Sequence, residues 1–365
     1  MLPSQRPLFD IPSDVCYLNA ASYTPLPLAT LEAGRAAVGR KGRPWLIDND
    51  FAAQQYSRTR QAAARLIRAD AADVALIPSI SYGVATVAKI IPVPAGSRVI
   101  VLHDDHSSPL LEWLTRARDG AFTVDTVQGP NDHDWTSAVL STIERAGAAP
   151  VAIVSISSVH WADGAATQGA GVLDLDVCAL DPDFVVFPTC KWLLGPYGRA
   201  FIYVAKRHQG GIPLEQTSYG RKAVRAEQDV YFTDTDYVTD ARRFDMGERD
   251  HFISMEMASI GMEMMADWGA EPIATRLGAL TERLAQQLGD ATRAGRISFP
   301  ASEVRSPHIL SLGFPGGVPK GLTESLAAQK IYVAPRRGRL RVSPHVYNDD
   351  ADIDRFAQAL LAAIR

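Results

Sequence analysis

Apolar residues along the chain follow two rhythms. Short apolar runs bounded by Pro, Gly, Ser or Asp predict strands over Val74–Pro78, Arg98–Leu102, Ala121–Val127, Ala149–Ile156, Phe184–Phe187 and Ala200–Val204. Longer stretches with apolar residues on one face predict helices over Leu28–Arg40, Phe51–Ile67, Ser79–Ile91 and Trp135–Ala146. Strands alternating with helices imply an α/β fold with a mostly parallel sheet, and a site at the carboxyl ends of its strands. The last hundred residues read as an α+β module. A long helix begins near His251 and runs through Leu288, with a methionine-rich apolar face over Met255–Trp268 suited to core or subunit contact. A strand over Ile309–Phe314, a helix near Thr323, strands over Ile331–Ala334 and Leu340–Val342, and an amphipathic terminal helix follow. The expected division is a lead-in over residues 1–18, a large domain over 19–250 and a small domain over 251–365.

A chain of 365 residues can bury such a core. Its formal net charge of -4, with no basic stripe, argues against a nucleic-acid partner. The start, MLPSQRPLFDIPSD, has no apolar stretch after a basic one, and no segment is long and apolar enough for a membrane, so a cytoplasmic location is expected. Cys16, Cys178 and Cys190 have no metal-ligand spacing and are odd in number, so neither a disulfide frame nor a metal site is expected.

Chemistry enters with FVVFPTCKWLLGPYGRAFIY, Phe184–Tyr203. A strand ends at Pro188-Thr189, Lys191 follows, and a Gly-Pro-Tyr-Gly turn leads into the next strand. A lysine at a strand end between apolar residues is partly desolvated, which favours the neutral amine that can hold an aldehyde cofactor as a Schiff base. A plain surface lysine is the competing reading. Upstream, the strand at Val74 feeds a helix through Ser79-Ile80-Ser81-Tyr82-Gly83. Backbone amides at such a helix start suit a phosphate, although serine there is also an ordinary cap.

The phrase KWLLGPYGRAFIYV, with SSVHWADG before it and LRVSPHVYNDDADIDRF near the end, resembles the class V aminotransferase family of fold type I pyridoxal-phosphate enzymes. It is most similar to the kynureninase-like, isopenicillin-N-epimerase-like and sulfoxide-lyase-like branches. The resemblance implies pyridoxal 5'-phosphate as cofactor, an α-amino acid as substrate and a homodimer. It assigns Lys191 the cofactor, Ser81, with Ser79 and Tyr82, the phosphate, and His106 the face of the pyridine ring. Ser158 and Gln168 fall to the ring oxygen, and Thr189 is the hydroxyl available to the phosphate just before the lysine. Arg341 would grip the substrate carboxylate through a guanidinium fork. Asn19, Ser22 and Tyr23 in the lead-in would pass the site's mouth, and Arg243 and Arg249 would reach a phosphate across a dimer. Transamination, side-chain elimination and epimerisation share one beginning, so the family does not choose among them. Desulfurases of this fold carry a thiol on the loop before the arginine; here that loop reads APRRG, which argues against their chemistry.

One piece of the family pattern is absent. WADG runs directly into Ala165-Ala166-Thr167-Gln168, where relatives have a helix and a strand ending in Asp-Ala-Thr-Gln. Ala165 thus stands where an aspartate would keep the pyridine nitrogen protonated. Three outcomes are open: a catalytically impaired relative kept for binding or assembly, a rearrangement offering Asp163 or Asp174 to the nitrogen, or a chemistry that demands little of the ring.

Overall fold

The computed structural model describes residues 1–165, 172–224 and 232–364. Gln168 lies outside the described residues. The strands, in chain order, are β1 Cys16–Tyr17, β2 Val74–Ile77, β3 Arg98–Leu102, β4 Thr123–Val127, β5 Val151–Val154, β6 Phe184–Pro188 and β7 Ala200–Val204. They continue with β8 Arg221–Val224, β9 Phe232–Tyr237, β10 Leu310–Gly313, β11 Ile331–Tyr332, β12 Ala334–Arg336 and β13 Arg339–Val342. The chain divides into two compact units. One comprises Met1–Leu28, Val93–Leu173 and Trp268–Arg365; the other comprises Ala29–Pro92 and Asp174–Asp267.

The first unit holds a parallel sheet in the order β4-β3-β5. Every residue of β3 is buried, as expected of a strand covered on both faces. Ile100, Leu102 and Val127 pack on Trp135 and Val139 of the helix Trp135–Ile143. β5 is half-buried at most and Val154 is 40% exposed, so it is a true edge. The same unit holds an antiparallel sheet in the order β10-β13-β12. The expected strand Ile331–Ala334 is two: β11 pairs with β1, and β12 turns away to pair with β13. The long helix through Leu288 is also two, Phe252–Trp268 and Ala270–Gln287, broken at Gly269, whose φ of 79° ends a right-handed helix.

In the second unit, β7 lies between β2 and β6 and is antiparallel to both. The connection from Pro188 to Ala200 is too short for a crossover helix, so β6 and β7 return on themselves. Ala75, Ile77, Ala200, Ile202 and Val204 form its core with Phe244. β6 is again an edge, half-buried along most of its length, whereas β7 is buried throughout. Among the described residues no strand lies between β5 and β6 in sequence; only the short helix Val177–Leu180 does. The hairpin β8-β9 carries no apolar run and was not expected from the sequence.

A buried charge cluster locks the second unit. Asp245 is 2% exposed and accepts from Arg60, from Arg249 and, at 2.9 Å, from the Leu76 amide. Removing the carboxylate leaves two guanidiniums without their anion, a defect that costs about 3–5 kcal/mol. Asp245→Asn is therefore expected to lower the urea-unfolding free energy by that amount; a loss under about 1 kcal/mol would show that the cluster is solvated.

Candidate active site

Lys191 sits in the connection between β6 and β7, in the second unit, half-buried. That connection is closed from within. The Thr189 hydroxyl donates to the carbonyls of Pro196 and Arg199, at 2.8 and 3.1 Å, and the Gly195 amide returns to the Thr189 carbonyl at 2.9 Å. Its proton being engaged there, Thr189 has none to donate to a phosphate; it shapes the loop that presents Lys191. Outside the loop, the helix Phe252–Trp268 approaches at Gly261. A Cβ on Gly261 would fall 2.4 Å from the Leu193 carbonyl oxygen, so only glycine lets the helix press this closely on Leu193 and Leu194. Cys190 has its thiol pushed up by burial, the behaviour of a filler and not of a nucleophile.

The helix Ile80–Ile90 starts in the same unit. Ser79 caps it, accepting from the Tyr82 amide at 3.2 Å, and Ser81 is exposed on its first turn. Burial and the Glu215 carboxylate push the Tyr82 phenol up. Glu215 lines a cleft of about 700 Å³ with Tyr197, Arg199, Met246, His251 and Ser254. Arg199 is 1% exposed, bonds Ser254 and backbone carbonyls, and burial pulls its pKa to about 10. Arg249 is spent on Asp245 and Arg243 on the carbonyls of Val238 and Gly211, so both serve this unit's own structure. Asp174 is exposed and paired with Arg68 at 2.5 Å.

In the first unit, His106 and Ser158 stand at the carboxyl ends of the neighbouring parallel strands β3 and β5. Buried Asp105 ties those ends: its carboxylate accepts from the His106 amide at 2.6 Å and the Ser157 amide at 2.9 Å. His106 and Ser158 are themselves exposed. Asn19 pairs with Ser343 beside β13, with its buried Oδ1 lacking a partner, and Tyr23 is 64% exposed nearby in sequence.

The WADG turn follows. Asp163 is buried and both of its oxygens are taken: Oδ1 accepts from the Ala165 amide and His160 Nδ1, each at 3.0 Å, and Oδ2 accepts from Trp135 Nε1 at 3.0 Å and His133 Nδ1 at 3.2 Å. Burial raises its pKa, but these donors outweigh burial and hold it well below the usual carboxylate range. His160 stacks on Trp135, ring centroids 4.5 Å apart, and its Nε2 lies 3.1 Å from the His103 carbonyl. Both ring nitrogens thus face acceptors, which suits the imidazolium. Burial opposes that charge, Asp163 and the carbonyl overcome it, and the pKa is raised.

Arg341 is 3% exposed on β13. Its Nη2 donates to Ser22 Oγ at 2.7 Å and its Nη1 to the Trp161 carbonyl at 3.1 Å, while its Nε has no partner. Burial, with Arg336 beside it, pulls its pKa down to about 10. Arg336 donates to the same Ser22 hydroxyl at 2.8 Å. Among the described residues, no carboxylate pairs with Arg336 or Arg341. A buried cation facing only neutral oxygens is an anion site in waiting. Arg336 carries no signal of its own in the sequence, where APRRG drew attention only for its missing thiol; Glu215, His133 and Trp135 were likewise passed over.

The profile of the aminotransferase class-V family matches residues 161–356, more than half of the chain. The chain belongs to that family. A probable cysteine desulfurase of Methanothermobacter thermautotrophicus is 27% identical over 228 residues, 55% of this chain and 56% of that protein, so the chain spans little more than half of this relative. An isopenicillin N epimerase of Streptomyces clavuligerus is 24% identical over 381 residues, covering 95% of this chain and 94% of its own length. That alignment is longer than the 365-residue chain, so the relative carries residues that this chain lacks. The structure is similar to a cysteine desulfurase from Thermococcus onnurineus NA1, with a TM-score of 0.80 at 17% identity over 98% of this chain and 97% of that one. A C-DES variant with glycine covalently linked to its PLP cofactor gives the same TM-score and identity, over 98% of each chain. The expected fold class therefore holds. Among the described residues no helix is long and apolar enough to cross a membrane, and no cluster of ligands suits a metal ion.

The histidine on Asp163 gives a pH signature. Because the folded pKa of His160 is raised, its stabilising contribution is complete below the ordinary value of about 6.5 and is lost as pH rises through the folded value. Asp163 works oppositely, contributing above about pH 3.9 and losing its contribution as pH falls further. Urea unfolding from pH 6 to 9 should show a decline in stability that His160→Gln flattens. Equal slopes in the two proteins would mean that His160 is neutral in the fold.

Proposed function

We propose that the protein is a pyridoxal-phosphate-dependent enzyme acting on an α-amino acid, with the cofactor attached to Lys191. The observation that carries this reading is Arg341, a buried guanidinium with an unpartnered Nε and, among the described residues, no carboxylate partner, in a chain of the class V family. A fold keeps such a group at a cost in desolvation unless an anion completes it. An α-carboxylate is the anion that the family resemblance implies, and the fork of Arg341 can take both of its oxygens.

The residues fit the cofactor at its attachment. Thr189 and Gly261 hold the loop that presents the Lys191 amine, and the start of the helix Ile80–Ile90 with Ser81 offers backbone amides suited to a phosphate. The family resemblance assigns Lys191, Ser81, His106 and Ser158 to the cofactor and Arg341 to the substrate. When bound, pyridoxal phosphate supplies an electron sink for the bonds of the substrate's α-carbon. The Lys191 amine then serves as the base that takes and returns a proton at that carbon.

Among the described residues, the two acids expected to stand in at the ring nitrogen, Asp163 and Asp174, do not fit it. Both oxygens of Asp163 are committed to four protein donors, and Asp174 is exposed and paired with Arg68. We therefore place the activity among reactions that ask little of the ring, such as epimerisation, ahead of transamination. The same observation favours a second reading, a relative retained for binding or assembly. On that second reading a βα unit has been lost after Gly164, a proposal supported by an alignment longer than the chain. A homodimer in the cytoplasm remains part of the proposal by family likeness.

Incubation with pyridoxal phosphate should add an absorbance band near the visible edge, and borohydride should then abolish that band and leave the cofactor covalently on the peptide containing Lys191. Lys191→Ala should show neither. Label on another peptide, or none in the parent protein, would overturn the attachment. Uptake without turnover of any amino acid would instead favour the second reading.

A further inference from the structure

We infer that the sheet face carrying Arg336 and Arg341 selects a dianionic substrate, an amino acid whose side chain bears its own acidic group. This deepens the proposed function and rests on it for the identity of the ligand as a substrate. Strand register brings the charges together. Arg339 and Arg341 alternate on one face of β13, and Arg336 of β12 stands directly opposite Arg339, so the three side chains share a face. They differ in what they hold. Arg339 is spent on the Ser311 hydroxyl and carbonyl, at 3.1 and 2.8 Å. Arg337 is paired with Asp104. Arg336 and Arg341 converge on the one neutral hydroxyl of Ser22, their terminal nitrogens within two hydrogen-bond lengths of each other.

Two guanidiniums this close repel, and Arg336 helps to depress the pKa of Arg341. The nearby carboxylates are already committed, Asp163 to its own four donors and Asp104 to Arg337. A single carboxylate on Arg341 would neutralise one of the two charges. A short diacid would neutralise both, with one carboxylate on the buried fork of Arg341 and the second on half-exposed Arg336. Arg336 is thus proposed as the residue that favours acidic over neutral side chains.

The test is calorimetric titration of the full chain with glutarate and with butyrate at fixed ionic strength. The unmodified chain is expected to bind glutarate at least about tenfold more tightly. Arg336→Gln should bring the two ligands within about twofold while keeping butyrate affinity, and Arg336→Lys should restore part of the preference. Equal affinities in the unmodified chain, or a preference that survives Arg336→Gln, would overturn the inference. So would loss of both ligands in an Arg336→Gln protein that melts normally. Should Arg336→Gln not fold, the Lys variant carries the test, with full retention of tenfold preference in it and none for succinate over propionate in the parent counting against a fitted second subsite. Cofactor uptake by the unmodified chain is read separately by absorbance. Its absence would sink the enzymatic reading, while the diacid preference would still stand or fall on residue 336.

Discussion

The first unit turns on one carboxylate. Burying Asp163 is costly, and four donors from four different residues offset that cost. Those bonds do more than neutralise it. They close the turn from His160 to Ala165 and hold His160 flat on Trp135, which the helix Trp135–Ile143 plants against β3 and β4. With the turn fixed, its carbonyls become reliable acceptors. The Trp161 carbonyl takes Arg341 and the Ala162 carbonyl takes the Ser311 hydroxyl, so the turn fastens the β10-β13-β12 sheet and sets the direction of the buried Arg341 guanidinium. The carboxylate therefore positions the anion site without touching the anion.

The second unit solves a different problem with the same economy of polar groups. A lysine on a loop is a mobile amine, and a useful one must return to the same place. Here a threonine hydroxyl closes the loop from inside and a helix presses on it from outside, through a glycine where a Cβ would meet the Leu193 carbonyl. Leu193 and Leu194 are buried in that contact. Buried Arg60 and Asp245, with half-buried Arg249, then tie the start of β2 to the segment leading into the same helix.

Much of this was legible in the sequence because it depends on local pattern. The apolar runs of β2, β3, β6 and β7 are bounded by turn residues, and the phrase around Lys191 is a strand, a loop and a strand in order. Arg341 stood out only through the likeness of LRVSPHVYNDDADIDRF to a family, and its burial was not legible at all. What escaped was set by contacts distant in sequence. Nothing near Thr189 announces that its proton goes to Pro196 and Arg199, and nothing near Arg336 announces that Ser22, more than three hundred residues away, will bring it to Arg341. The split of Ile331–Ala334 into β11 and β12 has the same origin, since the two halves answer to different partner strands. Asp163 was legible as an acid of interest but not as a committed one, because its donors include Trp135 and His133, far upstream of the turn.

The commitment of Asp163 bears on what chemistry the protein can favour. A carboxylate shared among four donors has its charge spread over them, and a further cation would have to displace one of those bonds, with the loss of a buried hydrogen bond. Taking the indole of Trp135 away would release the stacked His160, and taking the Ala165 amide away would open the turn that supports Arg341. Recruiting Asp163 to a ring nitrogen would thus disturb the turn whose Trp161 carbonyl holds Arg341. The demands of fold and of chemistry compete for one group, and in this structure the fold holds it. Reactions that move a proton at the α-carbon and return it need less electron withdrawal than those that carry an amino group away, which is the ground on which we propose an epimerase-type activity ahead of transamination.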